Sequence, residues 1–573
     1  MKNTSAQRPK FFFDQNDIKS IISILKSKFP ENIKETLRIA DQACKRRYYY
    51  HRINIKFDKT IKWSLIPKRE IEWNCCINRH NEWLHLAKAY LYTRNNRYMN
   101  ELKYLINSWV DANPYPNKYS RESITWRLID AGIRARNWVW TILLLSNEPL
   151  FEDQTKLKMI NALKNHAEYL YKYYKYGSPN NHRAMEMEGL LEIAIMFPEM
   201  PDADKWKTRA VNLLKENFVK NVYSDGVQWE MSPSYHIGCL NWYGEPLILA
   251  ERNKIKMPVE YISRYKKMFD FLLDLSLPDD KVPAFGDSDY NYDSIKIPLA
   301  LGALLFEDPF LKPKSEFDPE LLWLFGKNAL KDYLKIKPAN KKALDSSFDK
   351  GGIYVSRSDW SRKANYLVFD CGPLGGWHGN IDLLSFCLSV NGKPLLIDPG
   401  RFTYIDNKWR RYFQSTPAHN TVTVDNMDQF IQSWKVRNRK EYTMLEDKVI
   451  SDIRILKAEH YRYRKLKDPV THTREIVFSK NHFLLIKDSF TAKGRHNYKQ
   501  YFHFAPSKVE VNGRVVNIKS NNLKVKLFNN DGAKIKLEKG WVSPAYNKKY
   551  KAPVIYISKD IKGSGDITTL IRF

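Results

Sequence analysis

The sequence predicts an α+β multidomain protein, a helical N-terminal part followed by an antiparallel β-sandwich. Two observations predict it. From about Asn16 to Leu334 apolar residues recur at spacings of three and four, and from about Ser346 onward short alternating runs are separated by NG, GK and DG turns. Length agrees, because 573 residues exceed one ordinary core. The stretch KIKPANKKALDSS reads as a linker, which sets the expected domains at 1–345 and 346–573.

In the first part, IKSIISILKSKF, EWLHLAKAYLYT, SITWRLIDAGIRARNWVWTILLL, MEGLLEIAIMF and YKKMFDFLLDLSL each present one apolar face. Links at Asn113-Pro114, Phe197-Pro198 and Leu277-Pro278 break the pattern, as expected of helical hairpins following one another in sequence. No fixed-period repeat with shared residues is present. In the second part NYLVFDCG, LLSFCLSVNGKPLLIDPG, REIVFSKNHFLLIKDSF and VEVNGRVVNIKS read as strands and hairpins.

Lys and Arg outnumber Asp and Glu by 94 to 64, a formal charge of +30 that attracts anions. Nucleic acid, acidic membranes and acidic polysaccharide all suit that field, and no nucleic-acid motif favours the first. No run reaches the ~20 apolar residues of a membrane span, and the N-terminal MKNTSAQRPKFFFDQND has no signal-peptide core. Six cysteines in so long a chain lack paired zinc-knuckle spacing and are expected as buried thiols. The 16 Trp and 34 Tyr suit either a helical core or platforms for sugar rings.

Four stretches carry chemistry. In GGWHGNIDLLSFCLSVNGKPLLIDPG, His378 stands in a glycine-rich turn. In SPNNHRAMEMEGLLEI, Asn180, Asn181, His182 and Arg183 open a helix, where Asn is ordinarily a cap. In SDGVQWEMSPSYHIGCLNWY, Trp229, Glu230, Tyr235 and His236 crowd ring and proton-transfer groups together. In RRYFQSTPAHNTVTVD, Arg410, Arg411, Tyr412 and His419 precede a strand. Asp287 and Asp289 of PAFGDSDY read either as a capped loop or as two hydrolytic carboxylates, and the loop is preferred.

Taken in order, these stretches resemble the heparinase II/III family of polysaccharide lyases, over roughly residues 65 to 425. The resemblance implies an incomplete (α/α) toroid joined to the β-sandwich, and β-elimination at a uronic acid, with a glycosaminoglycan of the heparan sulfate or heparosan type as substrate. It implies that Asn181 neutralises the uronate carboxylate, a neutral amide donor doing so without losing a proton, and that Tyr235 and His378 move the protons. His182, Arg183, Trp229, Glu230, His236 and Arg411 are the expected substrate contacts. A periplasmic or secreted location is implied too.

The chemistry itself needs no cofactor. Some relatives hold a structural zinc, and the matching positions are Asn380, Asp398 and His419. Asn is a poor zinc ligand, so zinc, a calcium-type oxygen site and no metal all stay open, and Asp382 reads as a turn-orienting residue. Another uronate polysaccharide such as alginate or hyaluronan, or glycan binding without catalysis, are the alternatives.

Overall fold

The structure, a computed structural model, describes residues 9–152, 154–290, 294–431, 441–520, 523–529 and 532–573. The chain forms two compact units, each assembled from several segments. The first comprises Met1–Asn221, Cys239–Tyr265 and Phe317–Ile336, and the second Val222–Gly238, Lys266–Glu316 and Lys337–Phe573.

The first unit is helical. Its helices include Pro30–Cys44, Asn81–Thr93, Asn96–Ala112, Leu128–Leu144, Gln154–Tyr173, Asn181–Met196 and Ala203–Asn221. Inside it, Trp83 and Trp138 stack at 5.3 Å, and the indole of Trp138 donates to Nδ1 of His80 at 2.9 Å. Trp73, Trp83, Trp109, Trp138, Trp206 and Trp323 are fully buried, so much of the tryptophan surplus serves packing, at about 1.5–3 kcal/mol for each large side chain enclosed. Leu128–Leu144 and Asn181–Met196 meet through glycines. A Cβ on Gly132 would lie 2.5 Å from the Met185 carbonyl, and one on Gly189 would lie 2.2 Å from the Gly132 carbonyl. That approach fixes the helix whose first residue is Asn181. One element departs from the helical expectation: Arg47–Tyr50 pairs with Ile53–Lys56 as a hairpin. His51 and Arg52 between them both take positive φ, 48° and 64°, the backbone a tight two-residue hairpin turn requires.

Among the described residues the second unit holds three antiparallel sheets. Five strands meander in sequence order, Asp345–Phe348, Ile353–Arg357, Tyr366–Asp370, Ser385–Val390 and Lys393–Leu396. An eight-stranded sheet runs Lys508–Asn512, Val515–Ser520, Leu523–Asn529, Gly565–Arg572, Phe483–Thr491, Val470–Ser479, Ile453–Tyr463 and Tyr442–Ile450. A four-stranded sheet runs Lys534–Ala545, Lys548–Lys562, Arg495–His503 and Val422–Val424. Strands of the large sheet bury alternate residues, Ile453–Tyr463 being typical, as a sheet with one covered face must. Leu388, Leu456, Ile476, Ile486, Phe502 and Ile555 belong to the shared core. The five-stranded sheet is different, because Ile353–Arg357, Tyr366–Asp370 and Ser385–Val390 are buried at every residue. All six cysteines are free thiols. No helix among the described residues is long and apolar enough to cross a membrane.

Candidate active site

Tyr235 and His378, far apart in sequence, are brought together in the second unit. Pro233 opens the helix Pro233–Arg252, which puts Tyr235 in its first turn. Ser288 braces this helix start: its hydroxyl lies 3.1 Å from that of Ser232 and accepts from the Ser234 amide at 3.0 Å. His378 ends a short turn, Gly376–His378. Gly375 and Gly376 take φ of 75° and 67°, and a Cβ on Gly376 would fall 2.7 Å from the Trp229 ring. The glycines are there because the indole of Trp229 and the Glu230 backbone press against the turn.

The two rings stack, centroids 3.8 Å apart and planes inclined by 26°. Nδ1 of His378 bonds Oδ2 of Asp287 at 2.7 Å, and the Asp287 amide donates to the His378 carbonyl at 2.8 Å. Arg410 clamps the same carboxylate with both terminal nitrogens and donates to the Trp377 carbonyl at 2.8 Å. Asp287 is buried, which opposes its ionisation, but the His378 hydrogen bond and then Arg410 outweigh this and hold it below the usual carboxylate range. An ionised Asp287 accepts the Nδ1 proton and so keeps Nε2 of His378 as the lone-pair nitrogen.

On its other side Tyr235 meets Tyr404, hydroxyl to hydroxyl at 2.9 Å. Arg401 donates to the Tyr404 hydroxyl and is held on Asp289 at 2.6 Å. Burial, Tyr404 and Asp287 together push the Tyr235 pKa well up, with Arg401 opposing. The phenol is therefore neutral and ready to donate.

The remaining expected contacts divide. His182 is half-buried and Arg183 is buried in the first unit, where Arg183 bonds Glu186 at 3.1 Å and the Tyr174 carbonyl at 2.6 Å. Asn180, not Asn181, caps their helix, accepting from the His182 amide at 3.0 Å. Asn181 is 1% exposed, and its Oδ1 has no hydrogen-bond partner among the described residues. Its amide is thus not consumed by capping. Trp229 is half-buried against the glycine turn. Glu230 is enclosed and bonded to Gln228, and His236 is enclosed with Nε2 on the Met268 carbonyl at 2.9 Å, where burial pulls its pKa down to about 4. Both serve internal contacts. Arg411 points outward, 74% exposed, while its neighbour Arg410 reaches Asp287. One residue along a helix turns the side chain by about 100°, and sequence proximity did not separate the two.

Of the expected metal positions, Asp398 and His419 lie in one cluster with Asp382. Asp382, Asp398 and His419 place ligand atoms within 4.8 Å of one another, whereas the Asn380 amide faces the backbone, accepting from the Gly286 amide at 3.2 Å and donating to the Gly379 carbonyl at 3.3 Å. Nδ1 of His419 lies 2.7 Å from Asp398, and its buried Nε2 has no partner among the described residues. Burial opposes its charge, yet Asp398 and Asp382 raise its pKa to about 9. Two enclosed carboxylates facing Nδ1 of one imidazole are the residues that would hold a divalent cation.

The sequence matches the family description Heparinase II/III N-terminus over residues 15–304 and Heparinase II/III-like, C-terminal over residues 340–566. The chain belongs to the heparinase II/III family. Among curated relatives of this heparinase II/III protein, the heparin-sulfate lyase of Pedobacter heparinus is 26% identical over 93% of this chain and 78% of its own length, and that of Bacteroides stercoris is 25% identical over 90% and 78%. The crystal structure of heparinase III superposes with a TM-score of 0.78 at 20% identity, covering 94% of this chain and 84% of that one. The fold is accordingly the helical (α/α) toroid followed by an antiparallel β-sandwich.

Residues that sequence reasoning did not assign to the site are Arg401, Tyr404, Asp287 in its active role, Arg410 and Trp377, a residue 59% exposed beside His378. Trp377 and Arg410 lay within stretches already singled out. Tyr404 and Arg401 sit in a loop with no distinguishing spacing.

Proposed function

We propose that this protein is a polysaccharide lyase that cleaves heparan sulfate or its unsulfated precursor by β-elimination, leaving an unsaturated uronate. The carrying observation is the Tyr235–His378 stack with Asp287 on Nδ1 of the histidine. Elimination needs a base at C5 of the uronate and an acid at the bridging oxygen on C4. Nε2 of His378, left as acceptor by the Asp287 bond, takes the C5 proton. Tyr235, a neutral phenol, protonates the departing oxygen, and Tyr404 with Arg401 stabilises the phenolate that results. Asn181 is the residue that the family resemblance puts forward to offset carboxylate charge as the enolate forms. Trp377 offers a ring face to the sugar.

A divalent cation at Asp382, Asp398 and His419 belongs to the same reading. It would compensate two buried carboxylates and is assigned no step in the reaction. An extracytoplasmic setting also belongs to it, because a sulfated chain does not cross a bilayer.

The test is a screen of heparan sulfate, heparosan, heparin, hyaluronan, chondroitin sulfate and alginate, following ultraviolet absorbance. A rise on heparan sulfate or heparosan is expected. Chain shortening with no absorbance would mean hydrolysis, and binding without shortening would mean a glycan-binding protein.

A further inference from the structure

We propose that the second unit carries another anion-recognition pocket, for a distal stretch of the same acidic saccharide chain. This rests on the glycan reading above. A cavity of about 340 Å³ opens among Lys296, Lys314, Lys341, Arg362, Phe310 and Trp360. None of these residues takes part in the Tyr235–His378 site.

Charge and geometry point to an anion. The lining holds four cations and a single carboxylate, Asp280. Asp280 is itself buried, and its two oxygens hold Lys314 and Arg362 at 2.7 Å each. Lys341 is fixed on both oxygens of Asp274 at 2.6 and 2.7 Å. Lys296 reaches Glu316 at 3.3 Å on the rim. These partners set the cations in place without exhausting them, since an ammonium has three N–H groups and a guanidinium five. Preset donors cost less to order when an anion arrives.

Ring faces narrow the ligand class. Phe310 is 49% exposed in this basic setting. Trp360 is half-buried, backed by the Arg357 guanidinium 3.8 Å from its ring centroid, and anchored by its indole N–H on the Ala343 carbonyl at 3.1 Å. A free inorganic anion has no use for ring faces. A pyranose with carboxylate or sulfate substituents uses both, its C–H face on an aromatic and its charges on Lys and Arg.

Full-length Tyr235→Phe protein, which binds without turning over, is titrated calorimetrically with a size-defined sulfated uronate hexasaccharide. Two binding events are expected. Adding Lys296→Ala and Arg362→Ala, which leaves Lys314 on Asp280, should weaken one event at least about tenfold and spare the other. In the otherwise wild-type chain the same pair should leave kcat on a short oligosaccharide unchanged and raise KM for the polymer severalfold. A single event in Tyr235→Phe, two events indifferent to the pair, or equal displacement of the sensitive event by inorganic sulfate or by single-stranded DNA would overturn the pocket. Failure of the lyase reading looks different: no absorbance rise on any glycan, with both binding events still present.

Discussion

Two of the histidine–aspartate pairs in the second unit, His378–Asp287 and His419–Asp398, share an Nδ1-to-oxygen distance of 2.7 Å, and their surroundings set them to different work. His378 keeps 17% of its side chain accessible, has one carboxylate whose charge Arg410 shares, and lies against a phenol. His419 has no accessible surface and faces two carboxylates, with no arginine bonded to Asp398 among the described residues. A motif of donor and acceptor therefore says little by itself. Access to solvent and the number of charges around it separate a proton carrier from an anchor.

That contrast can be broken most forcefully at the first pair. Tyr235→Phe and His378→Gln should each lower kcat by about 10²–10⁴, the usual worth of a positioned acid or base. They should differ in deuterated water. Tyr235→Phe keeps exchange at C5 because the base is intact, whereas His378→Gln loses it. Equal loss of exchange in both would reverse or merge the assigned roles.

At the second pair the balance should invert. His419→Ala removes the imidazole that Asp382 and Asp398 face, which should cost about 3–5 kcal/mol and lower the unfolding temperature in a thermal scan. The folded fraction should retain kcat within a few-fold, and metal analysis of the purified protein should show reduced cation content. A His419→Ala protein as stable as wild type but catalytically dead would dissolve the distinction.

The arginines sharpen it further. Arg410→Ala should reduce kcat by roughly 10- to 100-fold, the range for residues that orient a catalytic group through a hydrogen bond. Arg411→Ala, on the exposed face, should change it by less than about twofold.

A third histidine bears on stability alone. His236 titrates near 4 in the fold against about 6.5 when unfolded. Between those values the unfolded chain binds the extra proton, so stability is complete above about pH 6.5 and declines as pH falls toward 4, by up to roughly 3 kcal/mol from this one group. Chemical denaturation across that range should show a shallower decline in His236→Gln. An unchanged slope would mean that the ring is hydrated in the native state.

The helical-then-β division was legible because periodicity of 3.6 and of 2 survives in any sequence whose elements each have one covered face. The hairpin at Arg47–Lys56 was not, because RYYYHRINIK has no Gly or Asn at the turn, and His51 and Arg52 accept positive φ instead. For the site, Asn181, Tyr235 and His378 stood out through unusual local composition. Asp287 did not, since a buried aspartate in a loop and a capping aspartate look alike until a partner from a distant segment arrives. Asn380 and Asp382, like Arg410 and Arg411, were near neighbours whose side chains diverge, and only backbone direction tells them apart.

The fit of the His378 turn against residues 286–289 has a practical meaning for engineering. Gly286 takes a φ of 56°, and a Cβ there would lie 2.4 Å from the His378 carbonyl. The histidine's place is thus written in a loop that precedes it in the chain. Transplanting GGWHG alone into another sandwich would carry the reagent without its jig; PAFGDSD must travel with it.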